Sequence, residues 1–291
     1  MKQAYRFAPW LFGIALAVAA HAIHVAVDQA RAAMPKLQRF TLLPESTTLK
    51  AMSLGYKDVV ADLLWLQAIQ AIGERRVSEE AGHWIYRAMD IVTTLDPKFV
   101  EAYETGGIAL CTVVVMPEES NRILEKGAIN NPHEWKFPFM LGINYYFELA
   151  DDAKAAEYIA KAAEIGGGPD YLASFASRLY MTAKEPQKAV EFLSKSYDET
   201  TDPQMKQFLE FRLKEALTER DLQVLEAAIA RYRHQFERSP VGLGDLVTAG
   251  LIPAVPTEPS GGLYLYDSNT QTVRSTSMER RFQVRDHRRP Q

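Results

Sequence analysis

A single cysteine, Cys111, stands among 291 residues, so no internal disulfide staples this chain. Its neighbours Ala109, Leu110 and Val113 are apolar, a setting that raises a thiol's pKa and leaves it inert. An excess of positive charge is also lacking. Thirty-three Lys and Arg stand against 37 Asp and Glu, a net charge of −4, which gives no reason to expect nucleic acid. His21, His24, His83, His133, His234 and His287 form no cluster at metal spacing outside the N-terminal pair, and no HExxH or Cys-x-x-Cys spacing occurs. The glycines at Gly166, Gly167 and Gly168 lack the lysine of a phosphate loop, and Gly-x-Ser-x-Gly is missing. The paired acids Glu79-Glu80, Glu118-Glu119 and Asp151-Asp152 read as helix-start charges that complement the macrodipole. These absences predict no catalytic residue, no metal, no cofactor and no small-molecule substrate. With 47% hydrophobic and 24% charged residues, the remainder is ordinary globular composition.

What the chain does have begins at its amino terminus. Residues 8–27 are uncharged and mostly apolar, and as a helix they would span ~30 Å, the depth of a bilayer core. Lys2 and Arg6 precede the run, and Trp10 stands where an interfacial aromatic belongs. Two readings stay open. One is a single-pass signal anchor over 1–30, with a cytoplasmic stub. The other is a cleaved signal peptide ending near Ala20-His21-Ala22. The anchor is the reading taken, placing the chain in the inner membrane with its body in the periplasm. Arg31, Lys36 and Arg39 on the far side weaken the charge argument for that orientation. Gly13, Ala17 and Ala20 form one small-residue face for packing on other membrane helices; Ala15, Ala19 and Ala22 form another. His21 and His24 read as neutral imidazoles near interfacial water.

Residues 31–48, with Pro35, Pro44 and Glu45-Ser46-Thr47-Thr48, read as a linker. From Leu49 to Glu237 the periodicity is helical. Pro97, Pro132, Pro169 and Pro203 interrupt it at intervals of 35, 37 and 34 residues. Proline ends one helix and is tolerated in the first turn of the next, so this spacing predicts a run of two-helix hairpins. The unit beginning at Pro132 carries Trp135, Leu141-Gly142 and Tyr145, then Ala155 or Ala156, Ala162 and Ala163. Tyr103 and Gly106-Gly107 precede it, and Ala176, Tyr180, Ala189 and Leu193 follow. With that period and those side chains, residues 49–220 resemble tetratricopeptide repeats. The resemblance implies an α-α superhelical solenoid, with a divergent pair near Tyr56 to Leu95 at its end. It also implies a groove lined by the first helix of each pair. Counted from Trp135, that groove would present Glu101, Glu104, His133, Lys136, Tyr146, Ser177 and Tyr180 to a protein partner.

The stretch Ser53 to Ala68 is similar to the opening of a group of bacterial membrane-anchored tetratricopeptide proteins. Leu54, Ala61, Leu64, Trp65 and Ala68 should share one packed face, with Asp62 in the same region capping or pairing with Arg87. Residues 221–277 change character. Leu222, Leu225, Ile229, Tyr232 and Phe236 make an amphipathic helix, a Pro-rich loop follows, and two short β-segments, Leu263-Tyr264-Leu265-Tyr266 and Gln271-Thr272-Val273-Arg274, flank Asp267-Ser268-Asn269-Thr270 as a hairpin. This module is similar to the ends of type II secretion pseudopilins. Three uses are open for it: a docking module, a helix with a stabilising hairpin, or a segment that fills the chain's own groove. The tail 278–291 carries Arg280, Arg281, Arg285, Arg288 and Arg289 and is predicted to be disordered. The whole is predicted to be mainly α, a membrane-anchored scaffold or adaptor. The alternative is an accessory subunit of a larger membrane assembly such as a pilus, secretion, transport or respiratory complex.

Overall fold

The computed structural model describes residues 16–26, 43–74 and 77–278. The chain divides after Pro44 into two units. In the first, residues 16–26 are helical (α1) and exposed throughout. No helix among the described residues is long and apolar enough to cross a membrane. The expected span 8–27 extends past the described stretch on both sides, and Gly13 lies outside it. The same holds for linker residues 31–42 and for the tail from 279 on.

The second unit is mainly helical and ends in a small antiparallel sheet. Its elements are α2 (Ser46–Met52), α3 (Lys57–Ile72), α4 (Glu79–Leu95), α5 (Val100–Ile108), α6 (Pro117–Asn130), α7 (Lys136–Phe147), α8 (Asp152–Ile165), α9 (Tyr171–Thr182), α10 (Pro186–Glu199), α11 (Pro203–Phe236) and α12 (Leu243–Thr248). Helix α5 runs on through one π-turn, Ala109–Val113. The helical body therefore starts at Ser46, three residues before the expected Leu49. A first helical turn leaves its N–H groups without intrahelical partners in any case, so the polar Ser46-Thr47-Thr48 suits it.

Local chemistry sets the breaks. Pro97, Pro132 and Pro169 stand in the loops before α5, α7 and α9, while Pro117, Pro186 and Pro203 open helices at their first position. Ser78, Asp151 and Asp202 cap α4, α8 and α11 by accepting from the backbone N–H of Ala81, Lys154 and Gln204. The paired acids do fall at helix starts.

Successive helices pack as neighbours, and small residues fix how closely. A Cβ on Gly107 would come within 2.6 Å of Leu124, and one on Gly142 within 2.6 Å of Ile159. Both the two glycines and the two residues they meet are 35 apart, so one packing solution is used twice. Polar links repeat the period. Lys126 pairs with Asp90, Lys136 with Glu104, Lys188 with Glu157 and Lys195 with Glu164, at 2.7–2.9 Å. The Tyr158 hydroxyl donates to Glu125 at 3.2 Å. Each link joins helices two apart in order, across 31 to 36 residues of sequence. Such exposed pairs are individually worth under about 1 kcal/mol, so they report register more than they supply stability.

At the start of this unit, Ala61, Leu64 and Ala68 are buried as expected, and Trp65 tilts against Phe99 at 5.0 Å. Leu54 and Asp62 depart from the expectation, since both are exposed. Asp62 shares its side of α3 with Val59, Leu63 and Leu66, which faces away from α4.

Helix α11 runs unbroken for 34 residues, ~51 Å at 1.5 Å per residue. The expected boundary at 220/221 falls inside it. Its first part packs on α10; Leu222, Leu225, Ala228, Ile229 and Tyr232 then join Leu246, Ile252, Tyr264 and Val273 in a second core. The apolar face of the C-terminal helix is thus used on its own hairpin. Strands β1 (Tyr264–Asp267) and β2 (Thr272–Ser275) pair antiparallel, Tyr264 opposite Ser275 and Asp267 opposite Thr272. Two carboxylates pin this module to α11. Asp221 accepts from the Tyr264 hydroxyl at 3.1 Å. Glu258, only 4% exposed, accepts from the Ser260 and Gly262 amides and from the Ser275, Ser277 and Thr218 hydroxyls.

Candidate partner-binding face

The seven residues expected to line a groove divide into four groups. Glu101 on α5 and His133 in the loop before α7 are exposed. Glu104 and Lys136 meet as an ion pair at 2.8 Å, and that bond raises the Lys136 pKa. Tyr146 is half-buried, edge-on to Phe147 at 4.8 Å and to Phe175 at 5.9 Å.

Ser177 and Tyr180 require a correction. Ser177 is fully buried and Tyr180 is 7% exposed, so neither is open to a partner. The repeat itself supplies the reason. Ser177 lies 35 residues after Gly142 and 70 after Gly107, the position where each first helix presses on its second. Tyr180 lies 35 after Tyr145, whose ring stacks on Tyr158 at 5.4 Å inside its hairpin. Burial pushes the Tyr180 hydroxyl up to about 12, with the Glu157 charge adding to it.

The exposed side of these helices is found by the same period carried from other residues. Glu101, Lys136 and Tyr171 follow one another at 35, as do Met140 and Phe175. Tyr171 and Phe147 are 53% and 58% exposed, and Phe211 on α11 is 57% exposed. Between α9 and α11 opens a hollow of about 480 Å³, lined by Tyr171, Ser174, Gln204, Met205, Phe208 and Arg212 among others. The Arg212 guanidinium stands 5.5 Å from the centroids of both the Phe208 and Phe211 rings and pairs with Glu215 at 2.7 Å. Its Nε is buried with no hydrogen-bond partner. A larger hollow of about 590 Å³, beside Arg233, His234 and Arg238, is more polar and more open. The α9–α11 hollow, with aromatic walls and the Arg212 guanidinium against two rings, is the more apolar of the two.

Among the described residues, no group of three or more His, Cys, Asp or Glu is placed to hold a metal ion. Cys111 is buried in the π-turn, and burial, with the Glu148 charge, pushes its thiol up to about 11. It stays protonated at neutral pH, as its apolar neighbours imply.

No protein-family model matches the chain, and no curated protein matches it.

Proposed function

We propose that the protein is a non-catalytic tetratricopeptide-repeat scaffold, anchored in the inner membrane with its body in the periplasm. It holds a segment of another envelope protein on the face formed by α7, α9 and the start of α11. The observation that carries the reading is the pair of exposed aromatics at the Arg212 hollow, Tyr171 in its wall and Phe211 against the Arg212 guanidinium, with Phe147 exposed on α7. Aromatic and arginine side chains are the groups that dominate protein interfaces, and rigid rings lose little entropy on binding. The 35-residue recurrence of Gly107 with Leu124 and Gly142 with Ile159 supports the repeat class.

The test is gentle detergent extraction of tagged full-length chain, followed by size analysis and mass spectrometry of what co-purifies. Tyr171→Ala with Phe211→Ala should lower recovery of a co-purifying protein at least about tenfold, since each anchor is worth on the order of 1 kcal/mol or more. Both rings are exposed, so the thermal midpoint should hold. Undiminished recovery from the double variant would remove this face from the proposal.

The second reading is an accessory subunit of a larger membrane assembly. Ala17 and Ala20, both exposed on α1, favour it, because small residues let a neighbouring membrane helix approach. A stoichiometric complex that survives the double variant but is lost on exchanging residues 1–30 would select it.

A further inference from the structure

One end of the second unit is apolar where a helical stack needs a polar outer face. Met52, Leu54, Tyr56, Val59, Leu63 and Leu66 are each between 50% and 87% exposed. Val59, Leu63 and Leu66 recur at i, i+4 and i+7 on α3, so they form one stripe, with Asp62 the single charge on that side. Met52, Leu54 and Tyr56 continue it through the α2–α3 turn. The opposite side of α3 is already used, with Ala61, Leu64 and Ala68 buried.

Leu54 is the clearest sign. It is 87% exposed, and its φ of 49° lies in the left-handed region. That conformation is unfavourable for a residue with a Cβ, which crowds the following carbonyl oxygen. Neither backbone preference nor hydration favours a leucine there, whereas a cover over the turn would.

The chain supplies a reason for one particular cover. Seventeen residues, 28–44, separate the apolar run 8–27 from Glu45. Fully extended they reach at most ~60 Å, so a bilayer holding that run stays within range of α2 and α3. At such effective concentration a weak contact becomes populated. The tether carries Arg31, Lys36 and Arg39 against one acid, Asp28, while at α2 and α3 the exposed Lys50 stands against exposed Glu45, Asp58 and Asp62, so the cationic excess lies on the tether. Cations beside a membrane are drawn to anionic lipid headgroups. Tyr56, 72% exposed, is of the residue type enriched at the bilayer–water interface.

We propose that the α2–α3 face docks on the surface of an anionic lipid bilayer, with the Leu54 turn entering the headgroup layer. The proposal rests on reading residues 8–27 as an anchor, and its test separates the two. Full-length chain is reconstituted into vesicles of phosphatidylcholine and phosphatidylglycerol, carrying an environment-sensitive fluorophore on Leu54→Cys, Leu63→Cys or Ser268→Cys. The native thiol, Cys111, is buried and does not compete for label. All three sites are exposed, so the substitutions leave the fold intact. Brominated lipid should quench the label at 54 and 63 at least twofold and leave the one at 268, in the hairpin loop, unchanged. Failure to float with vesicles would overturn the anchor reading and this proposal with it. Flotation without quenching at 54 and 63 would overturn the docking face alone. So would disulfide formation between copies through unlabelled Leu54→Cys, which would make a second copy the cover.

Discussion

Ser177 carries a hydroxyl into a position that its two counterparts, Gly107 and Gly142, leave bare. Its Oγ is buried and has no hydrogen-bond partner. An unsatisfied buried polar group costs about 1–3 kcal/mol, so Ser177→Ala should raise the urea midpoint by the equivalent of roughly 1 kcal/mol, and an unchanged or lowered midpoint would show that the hydroxyl is satisfied. The same residue shows where sequence reasoning went astray. Counting helix turns from Trp135 put Ser177 on the open side, whereas counting one whole repeat from Gly142 puts it inside. Over 35 residues a turn count accumulates loop-length errors, and the repeat period does not. Glu258 gives a second test at this scale. Burial alone would raise its carboxyl, but amides of Gly262 and Ser260 and hydroxyls of Ser275 and Ser277 outweigh it and hold the group below the usual range. The stabilisation is therefore full above the unfolded value of about 4.3 and is lost as pH falls through the lower folded value. Near-ultraviolet circular dichroism of the tyrosine-rich module should follow that loss on acidification. Glu258→Gln should flatten the pH dependence while lowering the midpoint at neutral pH; a variant that keeps the wild-type acid profile would exclude Glu258 as its source.

Among the elements, the helical hairpins were legible because proline and glycine mark them chemically. The 35-residue recurrence of close approach can be probed at Gly142, where an added Cβ meets Ile159 at 2.6 Å and the Ala155 carbonyl at 3.2 Å. Gly142→Ala should destabilise by about 1–3 kcal/mol, and Ile159→Val in the same chain should recover part of that, because it removes the terminal carbon in conflict. Equal and additive losses in a double-mutant cycle would mean the two helices adjust independently. The hairpin β1–β2 was equally readable, from a turn sequence between two short β-segments rich in tyrosine, threonine and valine. Helix α11 was not read as one element. The change in pattern near Leu222 is real, but it marks a change of packing partner, from α10 to the β1–β2 module, within one helix. The available signal was the lack of any Gly or Pro between Pro203 and Phe236. On α3, apolar residues on both sides concealed which side was packed, and Asp62 was misplaced for that reason; Leu54 was misplaced because it lies in the turn before α3, outside the helical count.

For the molecule as a whole, the sequence revealed the order of its parts better than the surfaces they present. Apolar periodicity reports which residues leave water, so it finds cores; a partner face is defined by residues that stay out, and these obey no such rule. Phe211 and Tyr171 became visible only once the packed sides of their helices were known. The unbroken α11 has a further consequence. A helix is a screw as well as a rod, and each residue turns it by about 100°. The bearing of the C-terminal hairpin about that axis is therefore set by a residue count between the α10 contacts and Thr218. One residue gained or lost there would swing the hairpin by more than a quarter turn, whereas seven would restore its heading to within about 20°. Length changes tolerated in the loops of this chain would be felt here as rotation, so this stretch works as an angular gauge between the hairpin stack and its terminal module.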